Sequence, residues 1–448
     1  MGPTPVEETA VNTEATTSPE PAPSKPKRRW VWSWGPGLVF ALAAIGPSDF
    51  VSNSVTGAAY GYSLLWTLPL IAAARYFILE ASARYVLVTG ESIFVGYGRC
   101  GRWVVWLIFA ASLLRQHFSV LYMTLLMGSA LQMVMPLPGP WAETTWSLLC
   151  WSSGFSLMYW GRYEGVEKWC WPLLFLLAGC LGTVAVWSQP DPSTLLQGLL
   201  LPSIPSGHGL YSSTWLVMAL AGSGASSTGN FKYAAFVHEK GWRDSSHLPK
   251  QRVDLLLSLL GMVVLQIVIQ VAAAGTLKPM GVTIEAPQDL VPLFSQTMGD
   301  AGRIILGLGL WAVVYSSYVG STTGSGLVLG DIYRNFIRPS DETTVGPGQP
   351  AGKHSFRAFV SLICVTSLYG LVTDWKPIWL VLLASALLVV LLPVFVVVLM
   401  RLTNDKKLMG EYVNGWVTNA ALTFVVVMAA FLTYQNALNV WTDLGVVF

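Results

Sequence analysis

Long apolar stretches alternate with short polar ones along this chain. Eleven of them read as spanning segments, at about 36–60, 63–87, 103–135, 141–161, 169–188, 209–237, 253–275, 301–332, 356–373, 377–400 and 418–441. Each is near or above the roughly 20 residues a helix needs to cross a bilayer core, and about twice the length of a tilted barrel strand. A helix also satisfies its own backbone polar groups, as a segment in lipid must. The expected fold class is therefore an all-α integral membrane protein with eleven transmembrane helices.

The charges between the spans test that count. If the N-terminus is cytoplasmic, the inner segments hold 19 of the 26 Lys and Arg, the outer segments three (Lys278, Arg303, Lys376), and four fall inside spans (Arg75, Arg84, Arg115, Lys232). That asymmetry is what the positive-inside rule requires, and an odd number of crossings puts the C-terminus outside. Residues 1–30 are rich in Pro, Thr, Glu and Ala and read as a disordered cytoplasmic tail ending in Lys25, Lys27, Arg28 and Arg29. Residues 31–448 read as one transporter domain. With no short apolar leader after the charges, the expected location is a bacterial inner membrane.

Composition narrows the function. Apolar residues make up 53 % and charged residues 11 % of the 448, with mean hydropathy +0.54, which excludes a set of soluble domains. The net charge of +2 carries no block suited to nucleic acid. Five scattered cysteines form no CxxC pair, and five histidines no metal-ligand spacing. Nothing argues for an enzyme or a resident cofactor. The expected partners are the lipid bilayer and a small inorganic cation as cargo, carried by a monomer.

Two spans are interrupted by polar, helix-breaking residues. The first contains Gly46-Pro47-Ser48-Asp49, and the sixth contains Gly222-Ser223-Gly224-Ala225-Ser226-Ser227-Thr228-Gly229-Asn230. Proline removes a helix donor and glycine lowers helix preference. The breaks lie five spans apart, so two units of five would be inverted relative to each other: repeat one at about 36–188, repeat two at about 209–400, and an extra helix at 418–441. Broken helices at matching positions of an inverted repeat point to a transport site at the midplane. Two ordinary kinked helices would give the same pattern with no site.

An unwound stretch frees carbonyls for a cation and exposes a half-helix N-terminus to an anion. Asp49 is an ionisable group at a costly depth, which marks a functional site. The hydroxyls of Ser223, Ser226, Ser227 and Thr228 suit a hard cation or its waters; they can equally bond their own helix carbonyls. Other polar groups are candidates for coupling or gating. Arg75 and Arg115 fall near mid-span, Lys232 can pair with Asp49, and His117 can relay protons or simply pack. Glu80 and Arg84, spaced i, i+4, suit a structural ion pair.

Further stretches carry a resemblance: Gly35-Pro36-Gly37, Gly57-Ala58-Ala59-Tyr60-Gly61-Tyr62-Ser63-Leu64-Leu65-Trp66, Ala83-Arg84, Leu87-Val88-Thr89-Gly90, Gln189-Pro190-Asp191, Gly198-Leu199-Leu200, Ser316-Ser317 with Gly320 and Gly324, and Leu408-Met409-Gly410-Glu411-Tyr412-Val413-Asn414. With these the chain resembles the NRAMP (natural resistance-associated macrophage protein) family of proton-coupled divalent metal transporters, from about residue 35 to 441. The resemblance implies a LeuT-like 5+5 inverted repeat with broken helices 1 and 6.

The family's substrate positions are where this chain departs. The family carries Asp-Pro-Gly-Asn in the first break; here the places hold Gly46, Pro47, Ser48 and Asp49. Its Met-Pro-His of span six is here Thr228, Gly229 and Asn230, and a Gln of span ten falls on Ser385. Its acidic residues of span three have no counterpart beside Arg115, Gln116 and His117, which puts proton coupling in doubt. Losing the methionine removes the soft ligand that favours transition metals over Mg²⁺. The NRAMP-related magnesium transporters also altered their metal site, and this chain looks like a member of a divergent branch.

The first functional reading is a secondary transporter of a divalent cation, Mg²⁺ or Mn²⁺, working by alternating access. Asp49 supplies charge, with carbonyls near Ala43 and Ala225, and with Thr228, Asn230 and Ser385, completing the shell. The second is a carrier of an amino acid or small anion, held by glycine-rich amides and by Arg115 or Lys232. The third is a non-transporting receptor or scaffold of the same fold.

Overall fold

The structure, a computed structural model, describes residues 46–161, 166–206, 211–224, 233–234, 237, 241–333, 336 and 353–446. The expected tail and the first half of span one lie outside these. The helices are α1 (Pro47–Tyr60), α2 (Thr67–Thr89), α3 (Ile93–Cys100), α4 (Arg102–Val134), α5 (Ala142–Tyr159), α6 (Val166–Trp187), α7 (Pro192–Leu200), α8 (Ser213–Gly224), α9 (Leu248–Thr276), α10 (Val291–Met298), α11 (Asp300–Ile332), α12 (Lys353–Thr366), α13 (Pro377–Thr403) and α14 (Trp416–Val446). No strand occurs among the described residues.

Seven described helices are long and apolar enough to cross a membrane on those grounds alone. The other expected spans fall short for visible reasons. The first and sixth run beyond the described residues. In the second, α2 carries Arg75, Glu80 and Arg84 within its 23 residues. In the fourth, α5 has only 18 residues, diluted by Glu143 and several Ser and Thr.

Neighbouring helices run in the directions that alternate crossing demands. Asp49 meets Gln266, and Gly57 meets Gln270 and Ala273, so α1 and α9 (spans one and seven) are parallel. Gln116 meets Ser325, and Ala130 meets Gly307, so α4 and α11 (spans three and eight) are antiparallel. Absent side chains set how close these pairs come. A Cβ on Gly57 would lie 2.4 Å from the Gln270 carbonyl, and one on Gly222 would lie 1.8 Å from the Ser385 carbonyl. Close backbone approach at small residues is how helices associate in lipid, where the hydrophobic effect no longer draws them together.

Sequence stretches far apart in the chain meet in space. The Trp66 amide donates to the Gly198 carbonyl at 2.8 Å, and a Cβ on Gly198 would clash with Tyr62. Arg84, 5 % exposed, donates from Nη2 to Asn414 Oδ1 at 2.5 Å and from Nη1 to the Tyr412 and Val413 carbonyls. Its expected pair with Glu80 forms at 3.5 Å. Arg252 of α9 holds Glu80 more closely, at 2.8 Å. Glu80 thus belongs to a structural ion cluster that ties α2 to α9 and to the segment after α13. A buried carboxylate needs such compensation.

Candidate substrate site

The break in span one is built by its own residues. Gly46 is extended, with φ −83° and ψ 173°, and Pro47 follows as the first helical residue of α1. Proline suits that place because its missing N–H would have had no helical partner there. Asp49, two residues on, reaches back so that Oδ2 accepts the Gly46 amide at 3.3 Å. A carboxylate in the first turn also meets the positive end of the helix dipole.

Asp49 is 2 % exposed. Its Oδ1 accepts from Gln266 Nε2 of α9 at 2.8 Å, and its main-chain carbonyl accepts from Asn53 Nδ2 at 2.8 Å. The Ser223 hydroxyl, in the last described turn of α8, donates to the Leu220 carbonyl of its own helix at 3.1 Å and lies near the carboxylate. The first turn of α1 and the last described turn of α8 therefore lie together at Asp49. Ser385 of α13 backs onto the same place through Gly222, but its hydroxyl donates to the Val381 carbonyl of its own helix at 2.9 Å.

The electrostatic company of Asp49 is basic. Arg75 of α2 and Arg115 of α4 both lie close enough to act on the carboxylate, and on each other. Arg75 is 6 % exposed and donates from Nη1 to Met262 Sδ at 2.9 Å. Met262 precedes Gln266 by one turn of α9, so Arg75 and Asp49 address successive turns of one helix face. On α4, Arg115, Ser119 and Tyr122 are spaced to share a face, and the Tyr122 hydroxyl lies within reach of Ser119 and of Ser48. That face therefore looks onto the first turn of α1.

Beside it, α4 carries a neutral network in place of acidic groups. Buried Gln116 donates to Thr322 Oγ1 at 3.0 Å and to Ser321 Oγ at 3.2 Å, and accepts from Ser325 Oγ at 2.8 Å. His117 turns to α12, with Nδ1 3.0 Å from Thr366 Oγ1 and its ring stacked on Tyr369.

The structure thus brings together Gly46, Ser48, Asp49, Arg75 and Arg115, and sets His117 and Glu80 into other interactions. Ala43, Ala225, Ser226, Ser227, Thr228, Asn230 and Lys232 lie outside the described residues. Sequence reasoning passed over Gln266, Met262 and Tyr122. The glutamines had a signal, since Gln266 and Gln270 stand i, i+4 in an otherwise apolar run. Met262 and Tyr122 had none, because such residues are ordinary core.

Comparison with known proteins decides the family. The profile described as natural resistance-associated macrophage protein-like (Nramp) matches residues 37–439. The chain belongs to this family. The divalent metal cation transporter MntH of Aeromonas hydrophila is 26 % identical over 422 residues, 88 % of this chain and 92 % of that one. A variant of the Eremococcus coleocola manganese transporter shares the fold, with TM-score 0.71 and 16 % identity over 91 % of this chain and 87 % of that one. MhsT, solved with L-phenylalanine, shares it more distantly, with TM-score 0.51 and 13 % identity over 91 % of this chain and 98 % of that one. The architecture is the expected LeuT-like one, with α1 beginning at Pro47 after an extended Gly46. Within this Nramp chain, Gly46 leaves the first position of the break without a side chain. Asp49 is the one carboxylate there.

Proposed function

We propose that this chain is a secondary transporter of a divalent metal cation, Mg²⁺ or Mn²⁺, working by alternating access around Asp49. The observation that carries the reading is the buried carboxylate in the first turn of α1, beside α8 and α9. Such a group is expensive at that depth unless it serves cargo. Family membership favours a cation over the amino-acid and scaffold readings, and the MntH relative is named a divalent metal cation transporter. Oxygen donors from Asp49, Ser48, Ser223 and Gln266 suit a hard or partly hydrated ion. Thr228, Asn230 and the carbonyls near Ala43 and Ala225 are the proposed remainder of the shell. The proposed setting is a bacterial inner membrane with the N-terminus cytoplasmic and the C-terminus outside. The proposed neutral Gln116 network gives a path without titrating acids, consistent with transport that does not depend on a proton gradient.

The test is uptake of Mn²⁺, Mg²⁺ and Ca²⁺ into proteoliposomes, with and without Asp49→Asn. Saturable uptake of Mn²⁺ or Mg²⁺ that falls by about tenfold or more in the variant is the expected result. Equal signals from protein-containing and empty liposomes for all three ions would overturn the proposal.

A further inference from the structure

The α9 neighbour of Asp49 is turned the wrong way to be a cation ligand. Gln266 Nε2 donates to Asp49 Oδ1 at 2.8 Å, and both residues are 2 % exposed. A carboxylate only accepts hydrogen bonds, so the amide shows it N–H and keeps its own oxygen away. A cation at Oδ1 needs the reverse. The N–H has to leave, and a turn of the amide about its last torsion puts Oε1 in its place. The Gly46 amide donates to the other carboxylate oxygen at 3.3 Å. Amide donors therefore stand where a cargo cation would sit.

A carrier that works by alternating access has to return empty after each delivery. That step moves an unloaded carboxylate through a place of low dielectric, where an anion without hydrogen bonds is costly. Gln266 can meet the cost throughout only if α9 travels with α1, and the packing supplies this tie. Asn53 Nδ2 donates to the Asp49 carbonyl at 2.8 Å and so braces the turn that bears the carboxylate. Two turns on from Asp49, a Cβ on Gly57 would lie 2.4 Å from the Gln270 carbonyl and 2.9 Å from Ala273 Cβ. Beyond that, Gln270 Nε2 donates to the Gly61 carbonyl at 3.1 Å. The two helices are thus joined along one parallel seam, with the amide–carboxylate pair at one end and Gly61 at the other. A small-residue contact of this closeness in lipid leaves little room for sliding.

We infer that Gln266 is the internal stand-in for the cargo: it donates to Asp49 while the carrier is empty, keeps that bond through the return, and turns its oxygen to the cation on loading. The inference rests on the cation reading above, and goes beyond it by giving Gln266 a task in the step where no cation is bound. The consequence is kinetic. Exchange of cation for cation uses only the loaded carrier, whereas net uptake needs the empty one as well. Losing the stand-in slows net uptake and spares exchange. A side chain that only held the helices together would lower both rates, and one that only bound cargo would lower neither at saturating metal.

The test compares the two rates in proteoliposomes, with K⁺ and valinomycin holding the membrane potential at zero. Net uptake is measured into metal-free liposomes, and exchange into liposomes preloaded with the same unlabelled ion. The probes are ⁵⁴Mn²⁺ and ²⁸Mg²⁺, each at saturating concentration. In the wild type, net uptake and exchange should be of the same order. Gln266→Met keeps length and volume but cannot donate; it should cut net uptake about tenfold or more and leave exchange within about twofold. Gln266→Asn retains the donor on a shorter stem and should regain part of the net rate. If both rates fall together in Gln266→Met, or neither falls, the inference is overturned and the cation reading stands. The wild type decides the matter even if the variants fail to fold. Its exchange running more than about tenfold ahead of net uptake would mean that the empty return is slow with Gln266 in place, which also overturns the inference. Neither net uptake nor exchange of either ion by the wild type would overturn the cation reading itself.

Discussion

At the scale of single residues, the start of α1 follows from four residues, Gly46 to Asp49, and one of them can be tested by restoring the side chain it lacks. Among the described residues, a Cβ added at Gly46 meets only Ser317 Oγ and Ser48 Oγ, both at 3.8 Å, and its φ of −83° is open to any L residue. Gly46→Asp is therefore expected to fold. A second carboxylate would supply a further charged oxygen beside Asp49. Its Mn²⁺ uptake should half-saturate at about tenfold lower Mn²⁺ than that of the wild type, read from concentration curves. His117 gives the opposite expectation. Its nitrogens face Thr366 and Tyr369, not Asp49. His117→Gln should leave the pH dependence of uptake where the wild type has it; a profile shifted between pH 5 and 8 would make the ring a proton relay.

At the scale of helices, what matters is where backbones touch. The Cβ of Gly57→Ala would fall 2.4 Å from the Gln270 carbonyl and 2.9 Å from Ala273 Cβ, so α1 would have to move off α9. Over-packing of this kind costs about 1–3 kcal/mol, and the detergent-solubilised variant should melt several degrees below the wild type. Because α9 carries Gln266, the same shift should weaken uptake. The short helix α7 offers a check on caps. Asp191 accepts from the Ser193 hydroxyl and from the Ser193 and Thr194 amides, and these bonds, the Ser193 hydroxyl foremost, hold its carboxyl below the usual 3.8. A depressed value means the cap is intact above pH 3.8 and is lost as pH falls through the folded value. Hydrogen exchange of 192–200, corrected for intrinsic rates, should show protection failing only below that pH, and in Asp191→Ala at neutral pH as well.

At the scale of the molecule, residues that make the family fold and residues that make the site separate cleanly. Arg84 ties Glu80 of α2 to the Tyr412–Asn414 segment, away from Asp49. Breaking such a buried cluster costs about 3–5 kcal/mol. Arg84→Gln should therefore lower expression and melting temperature, and reduce uptake only in proportion to folded protein. Asp49→Asn should do the reverse, melting like wild type while uptake is lost. Equal loss of stability in both would mean that Asp49 is itself part of the structural frame. The same separation explains why the family could be recognised while its metal motif was missing. The shared stretches, Gly57–Trp66 with Gly198 and Ala83-Arg84 with Asn414, are those that fix how helices approach.

The sequence by itself determined the spans, their alternating direction and the two breaks. Each of these depends on a property that adds along the chain: length of apolar run, charge between runs, and the local chemistry of Gly and Pro. It also determined that Asp49 would be the one acid at the first break, and that Glu80 and Arg84, one turn apart, would pair. Only the tertiary structure decided what surrounds Asp49. In a membrane, lipid and helix neighbours are both apolar, so a span such as α4 or α9 is apolar all round and its periodicity does not say which face turns inward. Arg75 and Arg115 sit 26 and 66 residues beyond Asp49, and Gln266 sits 217 beyond it. Their convergence on one carboxylate, which sets the charge balance of the site, exists only once α1, α2, α4 and α9 are packed together.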